Sequence, residues 1–287
     1  MTQKILFGNF KGGVGKTTNS VMTAYELANR GYKTLVCDLD PQANSTQLLR
    51  RTYALQNGID LPVRDTMMEA IRKGDLRPQV KKIMDNLYLI PSFKDFENYP
   101  DFLELEYMPT EENYKEKRMA HFSKLLKEVG PTDTDDGKNK FDYIIFDVPP
   151  SLSIFTSSAL YDTDYVVVVF QTQQRSLDGA VSFFEYLQTT YDNYQSLDFD
   201  VAGVLPVLMK NNVKIDSQMM RDCVRIFGED SVFKNYIPYR VRLQTYDRQG
   251  IQEKGKTEVW DAHDNKVHKL YNNLVDEIME RIQKEDD

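Results

Sequence analysis

The sequence is poor in cysteine, in long apolar runs and in net positive charge. Its 287 residues include two cysteines, Cys37 and Cys223, too few for a disulfide framework, and this suggests a reducing compartment. No apolar run approaches the roughly 18 residues that a membrane-spanning helix needs. The net charge of −8 argues against a uniformly basic nucleic-acid-binding protein. Met1 leads directly into an apolar run, so we expect no signal peptide.

A glycine-rich segment near the N-terminus is the strongest motif. Residues 9–19 read N-F-K-G-G-V-G-K-T-T-N, between an apolar run that predicts a strand and residues 20–30, which predict a helix. This context is that of a phosphate-binding loop, in which backbone N–H groups and a helix N-terminus surround an anion. The residues predicted to hold the phosphates are Lys11, Gly12, Gly13, Val14, Gly15, Lys16, Thr17 and Thr18.

The end of the loop assigns separate roles to three side chains. Lys16 would reach the β- and γ-phosphates of ATP, the Thr17 hydroxyl would hold Mg²⁺, and Thr18 would reach the α-phosphate. The general pattern G-x-x-x-x-G-K-[ST] has a glycine where this chain has Phe10. The loop is therefore a variant, and it begins with a second lysine, Lys11.

The phrase K-G-G-V-G-K-T-T resembles the loop of the deviant Walker ATPases, which include ParA, MinD and the nitrogenase iron protein. The resemblance implies ATP and Mg²⁺ as cofactors. It also implies that Lys11 acts across a homodimer interface on phosphates held by the other subunit, as arginine fingers do. Nucleotide binding and dimerisation would then be one coupled equilibrium.

Carboxylates follow two of the predicted strands. Residues 33–37 lead into D-L-D-P-Q, which contains Asp38 and Asp40, and residues 141–150 (F-D-Y-I-I-F-D-V-P-P) contain Asp147. Because parallel strands present their carboxyl ends at one edge, we expect these side chains near the nucleotide. By the resemblance, Asp40 orients the attacking water, Asp38 lies near the magnesium shell, and Asp147 is the Walker B carboxylate that binds Mg²⁺. For Asp38, an acidic cap on the next helix is the alternative.

Strand-like and helix-like segments alternate along the chain. This alternation predicts an α/β fold with a doubly wound, mostly parallel sheet flanked by helices on both faces. We expect a single P-loop ATPase domain over residues 1–287. Residues 93–140 resemble the family least and suggest an insertion, whose aromatic residues either bind a partner or simply pack. Near the C-terminus, residues 232–238 predict the last strand and residues 239–250 a loop, with Pro238 as an adenine contact by the resemblance.

Basic residues outnumber acidic ones between residues 201 and 270, while the rest of the chain is acidic. Such a cluster would neutralise DNA phosphates and give sequence-independent, salt-sensitive binding. In Soj-like ParA proteins an arginine of the I-P-x-x-V-R-L phrase contacts DNA, and it aligns with Arg242. Asn212 stands where the family has a second arginine, so a neighbouring lysine would have to substitute. For each basic residue the alternative is an ordinary solvated charge. The candidate DNA contacts are Arg242, Lys210, Lys214, Arg240 and Arg248.

The branches of the family can be separated by what this sequence carries. The two cysteines fall in a predicted strand and a predicted helix, which disfavours the cluster-bridging role of the nitrogenase iron protein. Residues 277–287 are acidic, unlike the lysine-rich lipid-binding helix of MinD, so no membrane partner is expected. The phosphate-binding loop begins within ten residues of Met1, so we expect no operator-binding helix-turn-helix domain before it.

The sequence therefore predicts a cytoplasmic, nucleoid-associated ParA-type partition ATPase. ATP and Mg²⁺ would close a sandwich dimer that binds DNA nonspecifically, with Lys11, Lys16 and Asp40 as catalytic residues. A ParB-like centromere-binding partner would stimulate an otherwise weak hydrolysis and release the DNA, which segregates a plasmid or chromosome. The alternatives are a positioning ATPase of the MinD or flagellar-placement kind, acting on a membrane or scaffold, and a non-catalytic nucleotide-gated adaptor.

Overall fold

The computed structural model describes residues 2–132, 140–209, 214–253 and 260–286. Within them, extended segments form one eight-stranded sheet. The strands are β1 (Gln3–Gly8), β2 (Thr34–Asp38), β3 (Lys81–Met84), β4 (Leu87–Ile90), β5 (Tyr143–Asp147), β6 (Tyr165–Gln171), β7 (Asp200–Met209) and β8 (Ile237–Pro238).

The strand order is β3-β4-β2-β5-β1-β6-β7-β8. The pairs are parallel except for β3, which runs antiparallel to β4 at one edge. From β1 the chain passes to β2 on one side of the sheet and later to β6 on the other. The carboxyl end of β1 therefore lies at a topological switch point, where open α/β sheets bind their ligands.

Helices cover both faces of the sheet. They are α1 (Lys16–Asn29), α2 (Asn44–Asn57), α3 (Met67–Lys73), α4 (Tyr99–Glu106), α5 (Tyr114–Leu126), α6 (Ile154–Leu160), α7 (Gln174–Asn193), α8 (Lys214–Phe227), α9 (Val241–Gln249) and α10 (Ala262–Asp286). Because side chains alternate along a strand, Leu6 and Phe146 enter one buried core and Ile5 and Ile145 the other. The predicted doubly wound fold is confirmed.

Two expectations near the C-terminus are wrong. Of residues 232–238, only Ile237–Pro238 forms a strand, because the backbone N–H groups of Lys234 and Asn235 donate to the Glu277 carboxylate at 2.8 Å instead. The predicted loop 239–250 is largely the helix α9. Residues 239–249 contain neither glycine nor proline, and an apolar pair at i and i+3 turns one helical face inward. That buried pair is Leu243 and Tyr246.

The region 93–140 contains α4 and α5. The apolar spacing of residues 120–129 predicts a helix, and the observed helix α5 starts earlier and ends at Leu126. Its aromatic residues Phe96, Tyr99 and Phe122 are fully buried in the same core as Leu6, which supports packing as their role. Residues 130–140 form a polar, turn-rich run that predicts a loop, and of these, residues 133–139 lie outside the described residues. Across the described ranges, no helix combines the length and the apolar character needed to cross a bilayer.

Candidate functional site

The phosphate-binding loop joins β1 to α1 by a tight glycine turn. Gly13 and Gly15 have φ values of +74° and +87°, a left-handed conformation that side-chain-bearing residues adopt at a cost. Among the described residues, no side chain caps the start of α1 at Gly15. The first N–H groups of the helix are therefore available to an anion, as the sequence predicts.

A cavity of about 500 Å³ opens beside this loop. Loop residues and Asp40 line one part of it, and Val148 and Pro150 follow β5 along its wall. The sequence does not predict the remaining part, which comes from the turn before α2, from α2 itself and from α9. These additional lining residues are Gln42, Asn44, Gln47, Leu48, Arg51 and Asp247.

Lys16 lies at the base of the site and is 6% exposed. Its Nζ donates to the backbone oxygen of Lys11 at 3.3 Å, so the loop itself holds the ammonium. Burial lowers the pKa of Lys16, whereas the charges of Asp147 and Asp40 act in the opposite direction. The charged ammonium thus depends on nearby negative groups, and phosphates would supply more of them.

The sheet register brings two carboxylates side by side. Asp38 ends β2, Asp147 ends β5, and the two are paired across neighbouring parallel strands. Both are fully buried. Burial is the largest cause that raises the pKa of each, and the charge of Asp147 raises that of Asp38 further.

Asp38 is hydrogen-bonded within the protein. Its Oδ2 accepts from the N–H and the hydroxyl of Thr46 at 2.8 and 2.7 Å, and its Oδ1 accepts from the Asp40 N–H at 3.2 Å. Asp38 therefore anchors the first turn of α2, which is the alternative role considered from the sequence. Its position beside Asp147 still places it next to the predicted magnesium ligands.

Asp147 has one oxygen engaged and one unengaged. Its Oδ2 accepts from the Ser45 hydroxyl at 2.5 Å, whereas Oδ1 is buried and accepts no hydrogen bond from the described residues. Burial raises the pKa of Asp147 to about 6, and the hydroxyls of Ser45 and Thr17 oppose that shift. A buried carboxylate oxygen near a threonine hydroxyl is the oxygen chemistry that Mg²⁺ prefers, so these residues fit the ion.

Asp40 lines the cavity and is 7% exposed. Its Oδ1 accepts from the Gln42 N–H at 2.9 Å, which fixes the carboxylate in the turn before α2. Burial raises the pKa of Asp40, and the Lys16 charge partly offsets this. The group is held where it could accept a hydrogen bond from a water molecule in the cavity.

Four predicted nucleotide contacts lie outside the cavity lining: Lys11, Gly12, Val14 and Pro238. Lys11 is partly exposed at the start of the loop. Pro238 is buried at the end of β8, where it is paired with Met209 of β7. The structure thus brings Lys16, Thr17 and the carboxylates together, whereas Lys11 and Pro238 do not line this cavity.

Three of the predicted DNA contacts, Arg240, Arg242 and Arg248, lie on α9 or directly before it. A second cavity, of about 600 Å³, brings Arg240 and Arg242 together with His263 and Lys266 of α10. The Arg242 side chain is only 16% exposed, and its guanidinium forms ion pairs with the carboxylates of Asp261 and Asp264. The other candidates are distributed as follows: Arg248 and Lys214 are exposed, and Lys210, like Asn212, lies outside the described residues.

Comparisons with known proteins agree with this geometry. A family model described as an AAA domain matches residues 2–199. The sporulation initiation inhibitor protein Soj of Bacillus subtilis is 30% identical over 245 residues, which are 85% of this chain and 87% of that protein. The chromosome-partitioning ATPase Soj of Thermus thermophilus is 29% identical over 286 residues, 98% of this chain and 97% of that protein.

Solved structures are similar in fold. Apo McdA of Cyanothece superposes with a TM-score of 0.74 at 17% identity, over 98% of this chain and all of that one. A plasmid partition protein of Borrelia burgdorferi bound to AMPPNP has a TM-score of 0.68 at 18% identity, over 99% of this chain and all of that one. At this identity the likeness concerns the fold alone.

Asp147→Asn tests the charge burial in the site. Because the pKa of Asp147 is raised to about 6, the carboxyl group of Asp147 holds its proton more tightly in the folded protein than in the unfolded chain. The contribution of this protonation to the free energy of unfolding is fully present below about pH 4 and is lost as the pH rises through about 6. Without nucleotide or Mg²⁺, we expect Asp147→Asn to raise the free energy of unfolding by about 1–3 kcal/mol at pH 7.5, and by less at pH 4.5.

Urea denaturation at both pH values measures the difference. The exposed Asp192→Asn is the matched control, and we expect it to change stability by less than about 0.5 kcal/mol at either pH. An equal effect of Asp147→Asn at the two pH values would contradict the assignment.

Proposed function

Since the chain belongs to the ParA/Soj family of P-loop ATPases, we propose that it is a partition ATPase that binds ATP and Mg²⁺, dimerises, and associates with DNA. The observation that carries the proposal is the grouping of Lys16, Asp40 and Asp147 beside the glycine turn. Lys11 stands at the start of the same loop, where its backbone oxygen accepts from the Lys16 ammonium. Phosphate oxygens would accept hydrogen bonds from the N–H groups at the start of α1 and from the Lys16 ammonium.

Thr17 and the Asp147 oxygen that accepts no hydrogen bond from the described residues would hold Mg²⁺, which when bound would neutralise charge on the phosphate oxygens. Asp38 supports the site by fixing the first turn of α2. Asp40, held by the Gln42 N–H, would orient the water that attacks the γ-phosphate. In this mechanism the chain acts by positioning and by charge, which is how phosphoryl transfer is generally accelerated.

The proposed dimer supplies the missing cation. In one protomer, three carboxylates share the site with Lys16, which is the buried cation among the described residues. The exposed Arg51 and Asp247 also line the cavity and add one charge of each sign. A Lys11 side chain from the facing protomer would bring a second positive charge to the phosphates, where charge develops in the transition state. Intrinsic turnover would be low because the site is complete only in the dimer.

DNA binding is proposed to use the basic surface of α9 and its neighbours. Arg248 and Lys214 are exposed, and Arg240 lies beside Lys266 at the second cavity. These residues support the proposal better than Arg242, whose charge is matched by Asp261 and Asp264. A ParB-like partner would stimulate ATP hydrolysis and so release the protein from nucleoid DNA into the cytoplasm.

Lys11→Gln tests the trans-acting lysine. The substitution leaves the glycine turn and Lys16 in place, so we expect ATP affinity within about threefold of wild type. Turnover should fall by about 10³-fold, in the range found when an arginine finger is removed. Nucleotide titration and steady-state phosphate release measure the two quantities. Lys115→Gln, an exposed lysine of α5, is the control; normal turnover by Lys11→Gln would refute the role.

Co-sedimentation tests the choice of surface. With ATP and Mg²⁺, the protein should be retained on nonspecific DNA, less so with ADP, and retention should fade as salt rises. Arg240→Ala combined with Arg248→Ala should lower the affinity for DNA about tenfold or more and reduce its salt dependence, while Lys115→Ala leaves both unchanged. Retention on anionic liposomes but not on DNA would instead favour a membrane-positioning ATPase.

A further inference from the structure

Asn9 is a buried polar residue between β1 and the phosphate-binding loop, and none of the roles above uses it. It is 2% exposed. Its side-chain oxygen accepts from the Lys11 N–H at 2.7 Å. Its Nδ2 donates to the backbone oxygens of Val169 in β6 and Ser176 in α7, at 2.7 and 3.2 Å.

These three hydrogen bonds fix the backbone of Lys11. The bond from residue i to the N–H of residue i+2 closes an Asx turn, which sets the direction of the chain at that point. The two bonds made by Nδ2 tie the same side chain to the neighbouring strand and to the first turn of α7. Asn9 thus connects the Lys11 backbone to β6 and α7, and these contacts fix the position of the Lys11 Cα atom.

Helix α7 approaches the loop so closely that one of its residues must be glycine. A Cβ atom at Gly179 would lie 2.7 Å from Asn9 Oδ1, 3.2 Å from Lys11 Cβ and 3.3 Å from the Lys11 nitrogen. Glycine inside a helix costs roughly 0.5–1 kcal/mol relative to alanine. Its presence at this position is explained by the contact with the loop.

Phe10 adds an apolar contact between the loop and the same helix. Its ring packs edge-on against Phe183 with centroids 5.0 Å apart and lies 5.5 Å from Tyr186. Phe10 occupies the place of a glycine in the general phosphate-binding pattern. The first three residues of the segment, Asn9, Phe10 and Lys11, are therefore all held against α7.

We propose that Asn9, together with Gly179, positions Lys11 for its action on the nucleotide of the facing protomer. The inference rests on the proposed function of Lys11. Asn9 does not touch the phosphates in this account; it is a positioning residue that acts through Lys11. Loss of Asn9 should leave the glycine turn able to bind ATP but should change the orientation of the Lys11 side chain. Misplacement of a reacting group by about 1 Å can cost 10²-fold in rate.

A double-mutant cycle tests this. We expect Asn9→Ala to lower kcat by about 10- to 100-fold with ATP affinity within about threefold of wild type. In a Lys11→Ala background, Asn9→Ala should have no further effect on kcat, because the group through which it acts is gone. Single-turnover hydrolysis of radiolabelled ATP measures the residual rates. Gly179→Ala, which pushes on the same contact from the helix, should reproduce the Asn9→Ala effect even if Asn9→Ala folds poorly.

Asn235→Ala is the matched control. Its side chain donates to Glu277 far along the chain, so it should lower thermal stability while leaving the kcat of the folded protein unchanged. Normal kcat in both Asn9→Ala and Gly179→Ala, or additive losses in the double mutant, would overturn the role of Asn9. Normal turnover of Lys11→Ala alone would overturn the proposed function of Lys11, so the two failures are distinguishable.

Discussion

The burial of negative charge at the carboxyl edge of a parallel sheet is the constraint on which this structure depends. Asp38 and Asp147 are fully buried and adjacent, and Asp40 lies at the wall of the same cavity. One buried ammonium, that of Lys16, faces them. Among the described residues, three buried carboxylates thus share one buried cation, since Arg51 and Asp247 of the same cavity are exposed and of opposite charge. This balance is poor in a site of low dielectric, so the arrangement calls for further positive charge. A magnesium ion and a lysine from a second protomer would both meet that need.

Hydrogen bonds from a neighbouring helix hold the buried carboxylates in position. The first turn of α2 donates to both buried carboxylates, through Ser45 to Asp147 and through Thr46 to Asp38. Farther along the same helix, the Thr52 hydroxyl accepts from the Ile251 N–H at 3.0 Å, just after α9. Helix α2 thus lines the cavity with residues between 44 and 51 and contacts the segment that follows α9 through Thr52.

Local sequence predicts the part of the site that lies in continuous motifs. The glycine turn, Lys16 and the strand-ending Asp147 could be placed because a buried strand and a helix flank them directly. Asn9, Ser45 and Asp247 could not, since their roles depend on partners more than 100 residues away or on a cavity formed by packing. Ser45 left a weak signal, because a run of polar residues follows the acidic motif. Over residues 239–250 the family phrase predicts a loop, whereas the apolar spacing of the same residues favours the helix α9 that forms.

Complementation between two inactive variants tests the shared site most directly. The Lys11→Ala variant retains Asp40 but lacks the ammonium that acts on the facing nucleotide. The Asp40→Ala variant retains Lys11 but cannot orient the attacking water. If each lysine serves the facing nucleotide, an equal mixture should recover about a quarter of wild-type ATP turnover, because half of the dimers are mixed and each has one complete site. Turnover in the mixture no higher than in the two variants alone would contradict the account.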